Sequence, residues 1–446
     1  MSQKYRTGCQ SIAAKMQLLS STQQCFTAGY CAVANPRSEP LSLSPRSLYL
    51  IATAAWFMSF GMQSVVFAWL VTIVLREPAE MVGWAQTAVL APGMLLILVA
   101  GALADRIGPD RQALLAHIFA ALVPWLLIWA LQAGVLSYGL MIAYALLMGL
   151  AQAFVTPARD GLLSYIAQGN VQRTVLLTSL AQFSCQIVGY TIAGYADAVG
   201  GEAILVLQSV ILLIGVFGYT LLRRKQAVDT RETHAPVFEQ LKIGARTVFG
   251  SPVMRIVILQ NIAMACFFMG CFVVCFPLVV RDVFDGSSGD LAVLSAINSS
   301  GLVLTILLML RIGYVKKPGR ALLTFQGLGA FVLLISGMME NFPLFVATIF
   351  VWGLCGGIAM PMSRTLMQEL APPEQRARVM SFYAFSFMGA GPFGTVLCGY
   401  LAALYGPQQT MIICGSCMLL VMLVIHGLTN LARVEFDPDL MQEVSA

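Results

Sequence analysis

Charged side chains are scarce in this 446-residue chain. Only 11% of its residues are Asp, Glu, Lys or Arg, whereas 58% are hydrophobic. Soluble proteins carry about 25% charged residues. Because a water-soluble fold of this length could not bury so much apolar surface, the composition predicts that a lipid bilayer surrounds most of the chain.

The apolar segments also lack the groups that chemistry inside a membrane would need. The chain has three histidines, and no Asp, Glu, Lys or Arg lies near the middle of an apolar segment. We find no nucleophile beside a base, no cluster of His and acids, and no phosphate-binding glycine loop with a lysine. We therefore predict no enzyme activity, no cofactor and no nucleic-acid partner.

The eleven cysteines are scattered without the spacing of a metal site. Cys271 and Cys275 lie one helical turn apart, with Cys266 and Met269 nearby, and such sulfur atoms suit a soft metal ion. Helix packing explains small residues at this spacing more simply. The sequence therefore predicts no metal site.

The gaps between charged residues predict the number of membrane spans. A spanning helix needs about 20 apolar residues. The charge-free stretches run from Arg46 to Arg76, from Glu80 to Asp105, and over 112–158, 174–196, 203–222, 256–280, 291–310, 321–339, 341–363 and 379–432. The stretches 112–158 and 379–432 are each long enough for two spans, and turn signals divide them near Gly134 and Gly406. The prediction is an all-α polytopic membrane protein with twelve transmembrane helices in two pseudo-symmetric six-helix bundles.

The distribution of charge predicts five segments along the chain. These are a cytoplasmic N-terminal tail (1–46), a six-helix bundle (47–222), a cytoplasmic central loop (223–255), a second six-helix bundle (256–432) and a cytoplasmic C-terminal tail (433–446). Within the central loop, apolar residues recur at helical spacing from Phe238 to Val248. This pattern indicates either an amphipathic helix on the inner membrane face or a simple structured linker.

The basic residues predict the orientation. All but two of the 26 Lys and Arg residues would lie in the tails and in the loops that follow spans 2, 4, 6, 8 and 10, the exceptions being Arg76 and Arg281. We call this side of the protein the basic face and the other side the opposite face. Since basic loops stay in the cytoplasm, we predict cytoplasmic termini and a multi-pass protein of the plasma membrane, expected to be a bacterial inner membrane.

The two halves of the chain repeat one another at a constant offset. Gly149-Leu150, Pro157 and Val175 recur as Gly353-Leu354, Pro361 and Val379. Repeated six-helix halves joined by a basic loop are typical of transporters whose substrate site lies between the halves.

The loop between spans 2 and 3 carries a recognisable motif, Gly101-Ala-Leu-Ala-Asp105-Arg106-Ile-Gly108-Pro-Asp-Arg111. It resembles the loop signature of the major facilitator superfamily, and this resemblance implies the fold of that superfamily. It also implies a conformational latch built from Gly101, Asp105, Arg106, Gly108 and Arg111. In that latch Gly101 would let helices approach closely, and Asp105 would either cap a helix start or pair with Arg106 or another basic residue at the inner face.

The chain departs from this signature in two places. Pro109 and Asp110 stand where basic residues are usual, and the corresponding loop of the second half, 311–320, has lost the aspartate. The latch would therefore be one-sided.

Two further regions narrow the resemblance within the superfamily. Residues 156–180 and 360–383 are similar to the bacterial exporter branch that contains the enterobactin exporter, which implies secondary active transport by alternating access. Span 11 also carries Gly391-Pro392-Phe-Gly394, which is similar to the glycine–proline kink of antiporters. That element is expected in span 5, where Gly189-Tyr190 stands instead, so the chain departs from the antiporter pattern.

In this superfamily, spans 1, 2, 4, 5, 7, 8, 10 and 11 line a central cavity. Uncharged polar side chains lie at depth in several of these spans, and six of them are candidate cavity-lining residues: Gln63, Gln182, Gln186, Asn261, Asn298 and Tyr383. The alternative is that they form hydrogen bonds between helices. A cavity of amides and aromatic rings without fixed charge suits neutral or weakly polar solutes.

The predicted function is the export of a small amphipathic or weakly polar molecule, such as a drug or a siderophore-like compound. The alternatives are an uptake carrier for a small metabolite and a membrane sensor that does not transport. The proton is the candidate coupling ion, and the candidate carriers are Asp105, Asp160, Asp197 and Glu369. We expect a monomer embedded in the lipid bilayer.

Overall fold

The structure is a computed structural model that describes residues 44–166, 171–225, 237–372 and 375–435. The predicted N-terminal tail lies outside this part of the chain up to residue 43, as do residues 436–446 of the predicted C-terminal tail. All regular secondary structure in the described residues is helical. Twelve helices are long and apolar enough to cross a membrane, and this number confirms the prediction from the charge gaps.

The first six-helix half contains spans 1 to 6. Its helices are Pro45–Trp69 with a π-helical turn at Leu70–Val74 (span 1), Ala79–Ile107 (span 2), Pro109–Leu122 continued by Pro124–Gln132 (span 3), Tyr138–Ile166 (span 4), Val171–Ala193 followed by the short helix Ala196–Val199 (span 5), and Gly201–Lys225 (span 6).

The second half contains spans 7 to 12. Its helices are Pro252–Met264, two π-helical turns at Ala265–Met269 and Cys271–Cys275, and Phe276–Asp282 (span 7), Ser288–Ile312 (span 8), Pro318–Ser336 (span 9), Phe342–Leu370 (span 10), Arg376–Tyr405 (span 11) and Pro407–Leu428 (span 12). A short 3₁₀ turn follows at Leu431–Arg433.

Local sequence signals explain several of these boundaries. Spans 3 and 12 begin with Pro109 and Pro407, and proline is favoured in the first helical turn because its missing N–H would have no partner there. Each is preceded by a glycine with positive φ, Gly108 at 91° and Gly406 at 85°. Only glycine adopts this conformation without strain, which explains the glycine at position 108 of the loop signature.

The central segment is more helical than a loop. Span 6 continues to Lys225, and span 7 begins at Pro252, where the Ser251 side chain caps the helix. Both helices extend into the predicted loop 223–255 because long basic side chains reach water from a helix end. Between them lies the helix Val237–Gly250, which we call the linker helix. Its buried Gly244 contacts the backbone of Arg378 at the start of span 11, and Phe249 packs edge-on against Phe382.

The two halves meet along two helix pairs, spans 2 and 11 and spans 5 and 8. Glycines permit this close approach. A Cβ on Gly83 of span 2 would lie 2.8 Å from the Thr395 carbonyl oxygen and 3.0 Å from the Cα of Gly399, both in span 11. The outer helix faces carry exposed apolar side chains such as Phe217 and Leu404, as expected of a surface in contact with lipid.

Candidate substrate cavity

A cavity of about 190 Å³ lies between the two halves. Four spans of the first half contribute most of its wall, and spans 7 and 11 contribute the rest. The lining residues are Trp56, Phe57, Phe60, Leu90, Gln152, Thr156, Arg159, Gln182, Gln186, Met269, Phe387, Met388 and Gly391. Aromatic rings, methionines and amides therefore share one chamber.

Three amide side chains in this wall are available to a ligand. Gln152 belongs to span 4, and Gln182 and Gln186 lie one turn apart on span 5. Within the described part of the chain, none of these amides makes a side-chain hydrogen bond. Each can therefore donate and accept hydrogen bonds from a solute in the cavity.

One charged residue in the cavity was missed by the sequence analysis. Arg159 lies in span 4, whose helix continues to Ile166, and its side chain is only 12% exposed. Its guanidinium carbon lies 4.5 Å from the centre of the Phe57 ring, a distance typical of a cation–π contact. The expectation of a cavity without fixed charge is therefore wrong.

A signal for this residue was present in the sequence. Gln152, Thr156 and Arg159 are spaced four and three residues apart, so they share one face of a helix. The gaps between charges place Arg159 in the loop after span 4, because a charge marks the end of a span in that prediction. An arginine at a helix end can still direct its charged group along the cavity wall.

The other predicted cavity residues divide into two groups. Gln182 and Gln186 line the cavity, whereas Gln63, Asn261, Asn298 and Tyr383 are not among the lining residues. Gln63 and Asn298 are buried, with 6% and 5% of their surface exposed. The expected placement of these four residues in the cavity wall is therefore not what the structure shows.

Hydrogen bonds between helices explain two of these differences. Asn261 of span 7 donates to Ser386 Oγ at 2.8 Å and to the Tyr383 carbonyl oxygen at 3.2 Å in span 11. The Tyr383 hydroxyl donates to Ser363 Oγ of span 10 at 3.0 Å. These side chains join spans 7, 10 and 11 within the second half, which is the alternative role that such polar residues commonly have.

The predicted latch at the basic face is only partly visible. The side chain of Asp105 lies outside the described part of the structure, and Arg106 and Arg111 are exposed. Among the described residues, no atom lies within 4 Å of the position that a Cβ on Gly101 would take. The close helix approach expected at Gly101 therefore stays a prediction.

Asp110, one of the two residues that depart from the loop signature, forms an ion pair in the described part of this region. Its Oδ2 atom accepts a hydrogen bond from Arg223 Nε at 2.9 Å. Asp110 lies in the first turn of span 3 and Arg223 near the end of span 6. The pair therefore stabilises the first half and does not connect the two halves.

The predicted kink of span 11 has several contacts. The helix Arg376–Tyr405 is continuous through Pro392. Gly391 lines the cavity, and the Pro392 carbonyl oxygen accepts a hydrogen bond from Thr87 of span 2 at 3.3 Å. A Cβ on Gly394 would lie 2.5 Å from the Cys266 carbonyl oxygen, so this glycine permits the contact between spans 11 and 7.

Polar contacts join the two halves at the opposite face. Asp197, at the end of span 5, accepts hydrogen bonds from the Ser288 N–H at 2.6 Å and from Trp69 Nε1 at 2.9 Å. Ser288 forms the first turn of span 8, where the helix dipole favours a carboxylate. Arg281 of span 7 donates to the carbonyl oxygens of Thr72 at 3.4 Å and Glu77 at 2.5 Å in the first half. We call these contacts the opposite-face seal.

Three buried thiols form a cluster in the second half. The Sγ atoms of Cys271, Cys398 and Cys414 lie within 4.8 Å of one another, and those of Cys398 and Cys414 are 3.8 Å apart. Spans 7, 11 and 12 thus bring together cysteines that are distant in the sequence. These are the described residues best arranged to ligate a soft metal ion, but they lie outside the cavity wall and among apolar neighbours.

Two six-helix halves around a cavity, closed together at one face, define a polytopic membrane carrier. Comparison with known proteins agrees with this class. Residues 49–394 and 316–431 match the profile of the Major Facilitator Superfamily, and the chain belongs to that family. It is therefore a multi-pass membrane transporter with a small-molecule substrate, and the predictions of the fold and of a protein that is not an enzyme are confirmed.

Individual proteins resemble the chain at low sequence identity. The chain is 25% identical to the multidrug efflux pump Tap of Mycolicibacterium fortuitum over 411 residues, which cover 88% of this chain and 97% of that protein. The crystal structure of the nucleoside transporter NupG aligns with a TM-score of 0.65 at 11% identity, over 86% of this chain and 99% of that chain. The human organic anion transporter MFSD10 aligns with a TM-score of 0.63 at 13% identity, over 86% and 100% of the two chains.

Proposed function

We propose that this transporter exports small amphipathic molecules from the cytoplasm by secondary active, alternating-access transport. The observation that carries the proposal is the cavity between the halves, in which aromatic rings and unpaired amides face one another. A solute with an apolar body and a few polar groups would satisfy both kinds of wall. The similarity to the efflux pump Tap over nearly the whole chain supports export.

The positive-inside rule supports placing the basic face in the cytoplasm of a bacterial cell. Thr156 and Arg159 lie in the last turns of span 4 before this face, so the cavity extends toward it. The seal formed by Asp197 and Ser288 would then lie on the extracytoplasmic side. Release of a solute would require this seal to open while contacts form at the basic face.

The proton is the proposed coupling ion, and the protein is proposed to act as a monomer. Among the candidate carriers, Asp160 is paired with a residue of the cavity wall, because its Oδ1 atom is 3.2 Å from Arg159 Nη2. The ion pair with Arg159 connects this exposed carboxylate to the cavity wall.

Transport in vesicles of defined orientation tests this proposal. Everted membrane vesicles with an imposed proton gradient should accumulate a fluorescent amphipathic dye, and a protonophore should abolish the accumulation. Gln182→Leu should change the relative rates for several dyes because it removes an amide from the cavity wall. Gln409→Leu, which changes an exposed amide outside the cavity, is the matched control. Accumulation only in right-side-out vesicles would establish uptake instead, and the absence of any flux would contradict a transporter of such dyes.

A further inference from the structure

Arg159 gives the cavity a fixed positive charge. Among the described residues that line the wall, Arg159 is the charged one, and none is Asp or Glu. The guanidinium rests against Phe57, and only 12% of the Arg159 side chain is exposed. A charge in such a poorly hydrated place interacts strongly with an opposite charge that enters the same space.

The ion pair with Asp160 does not cancel this charge inside the cavity. Asp160 is not a lining residue, and 44% of its side chain is exposed to solvent. Water therefore screens the carboxylate more than the guanidinium. Both hydrogen bonds to Asp160 use Nε and Nη2 of Arg159, at 3.4 Å and 3.2 Å, so Nη1 is not engaged in this pair.

We infer that the cavity selects amphipathic organic anions, and that Arg159 binds the carboxylate or other oxyanion of the substrate. The planar guanidinium is suited to oxyanions because its N–H groups form parallel hydrogen bonds with them. Trp56, Phe60 and Phe387 would contact the aromatic or apolar part of the same molecule. This inference rests on the proposed function, because it identifies the class of solute that the same cavity takes.

A pair of probes that differ only in charge provides the test. 1-Pyrenebutyrate is an aromatic carboxylate, and its primary amide is neutral and of nearly the same shape. Energy transfer from tryptophan to pyrene reports binding to the purified transporter in detergent, since Trp56 lies in the cavity wall. The wild-type protein should bind the carboxylate about tenfold more tightly than the amide, the gain expected from one charge-assisted hydrogen bond.

Two variants of the ion pair should act in opposite directions. Arg159→Gln should weaken binding of the carboxylate about tenfold and change binding of the amide by less than about twofold, and Arg159→Lys should restore part of the loss. Asp160→Asn should strengthen binding of the carboxylate, because it removes a competitor for the guanidinium. If the Arg159–Asp160 pair only supported the helix, both variants would bind the carboxylate more weakly. Arg320→Gln, at an exposed position outside the cavity wall, is the control and should bind like wild type.

The outcomes separate this inference from the proposed function. The selection of anions would be overturned by equal affinity of the wild type for the acid and the amide. It would also be overturned if Arg159→Gln lowered the affinity for both probes equally. If everted vesicles accumulate the cationic dye ethidium but not pyrenebutyrate, export stands and the selection of anions fails. If the binding preference holds but vesicles move neither probe, the anion site stands and the proposed export fails.

Discussion

The two faces of this transporter hold charged residues in different ways. At the opposite face, Asp197 and Arg281 reach across to the backbone of the other half. At the basic face, the ion pairs among the described residues lie within one half, as Asp110–Arg223 does. The basic face contains most of the charge, but the hydrogen bonds that join the two halves among the described residues lie where charge is scarce.

This difference shows that the number of charges on a face does not indicate at which face the two halves are held together. Charges at the basic face are solvated, and exposed ion pairs contribute little to stability, about 0–1 kcal/mol. A carboxylate that accepts a hydrogen bond at the start of a helix is held by geometry as well as by charge. The seal at the opposite face therefore defines the state seen here, in which the cavity extends toward the basic face.

The largest effect is expected from a change that forces the sealed face apart. Gly83→Ala places a Cβ 2.8 Å from the Thr395 carbonyl oxygen, and backbone atoms cannot move aside as a flexible side chain can. Overpacking of this kind costs about 1–3 kcal/mol, which shifts an equilibrium between two states about tenfold or more. We expect the initial rate of dye accumulation in everted vesicles to fall to about a tenth of the wild-type rate or less.

Gly139→Ala is the matched control for this prediction. Gly139 lies near the same face at the start of span 4, and no atom of the described residues lies within 4 Å of the position of an added Cβ. Both variants should elute as single species in detergent. Equal transport by the two variants would show that the contact between spans 2 and 11 does not control the sealed state.

A smaller effect is expected from weakening the seal without adding volume. Asp197→Asn keeps the shape of the side chain but removes the negative charge that faces the start of span 8. A charge at a helix N-terminus contributes about 0.3–1 kcal/mol, and the bond from Trp69 weakens as well. We expect about a threefold to fivefold change in transport rate, together with faster amide hydrogen exchange in residues 194–200 and at the start of span 8.

Asp290→Asn separates this role from simple helix capping. Asp290 forms a capping box with Ser287 in the first turn of the same helix, but this contact stays within the second half. Loss of this capping box should increase amide hydrogen exchange at the start of span 8 without affecting residues 194–200. Loss of transport in Asp290→Asn equal to that in Asp197→Asn would argue against a bridge between the halves.

Asp105→Asn extends the comparison to the basic face, where the loop signature predicts impaired transport with normal membrane insertion.

Much of the architecture was predictable because lipid excludes charge. The gaps between charged residues located twelve spans, and the basic loops divided them into two halves. The residues of the seal were not predictable, since Asp197 and Ser288 are 91 residues apart and belong to different halves. Sequence spacing identifies neighbours on one helix, but it does not show which helix of the other half lies opposite.

The cavity wall illustrates the same limit. The sequence predicts Gln182, Gln186 and Asn261 alike as cavity-lining residues. Gln182 and Gln186 do line the cavity, whereas Asn261 joins spans 7 and 11. An amide in a membrane must find a hydrogen-bond partner whether it faces a cavity or another helix. Arg159 was missed for a different reason, because an arginine near a span end was read as part of a loop.

The smallest effect is expected at the basic face, from the ion pair within the first half. Arg223→Gln removes the partner of Asp110, whose side chain is 10% exposed, while Arg223 itself is 34% exposed. We expect a loss of about 1 kcal/mol of stability, seen as a lower melting temperature in detergent, with transport unchanged. Lys317→Gln is the control, because the pair Lys317–Glu435 is about half exposed at both ends and should contribute almost nothing measurable. If Arg223→Gln lowered transport at an unchanged melting temperature, the Asp110–Arg223 pair would take part in the conformational change. Ion pairs at the basic face would then matter for transport as the contacts of the opposite-face seal do.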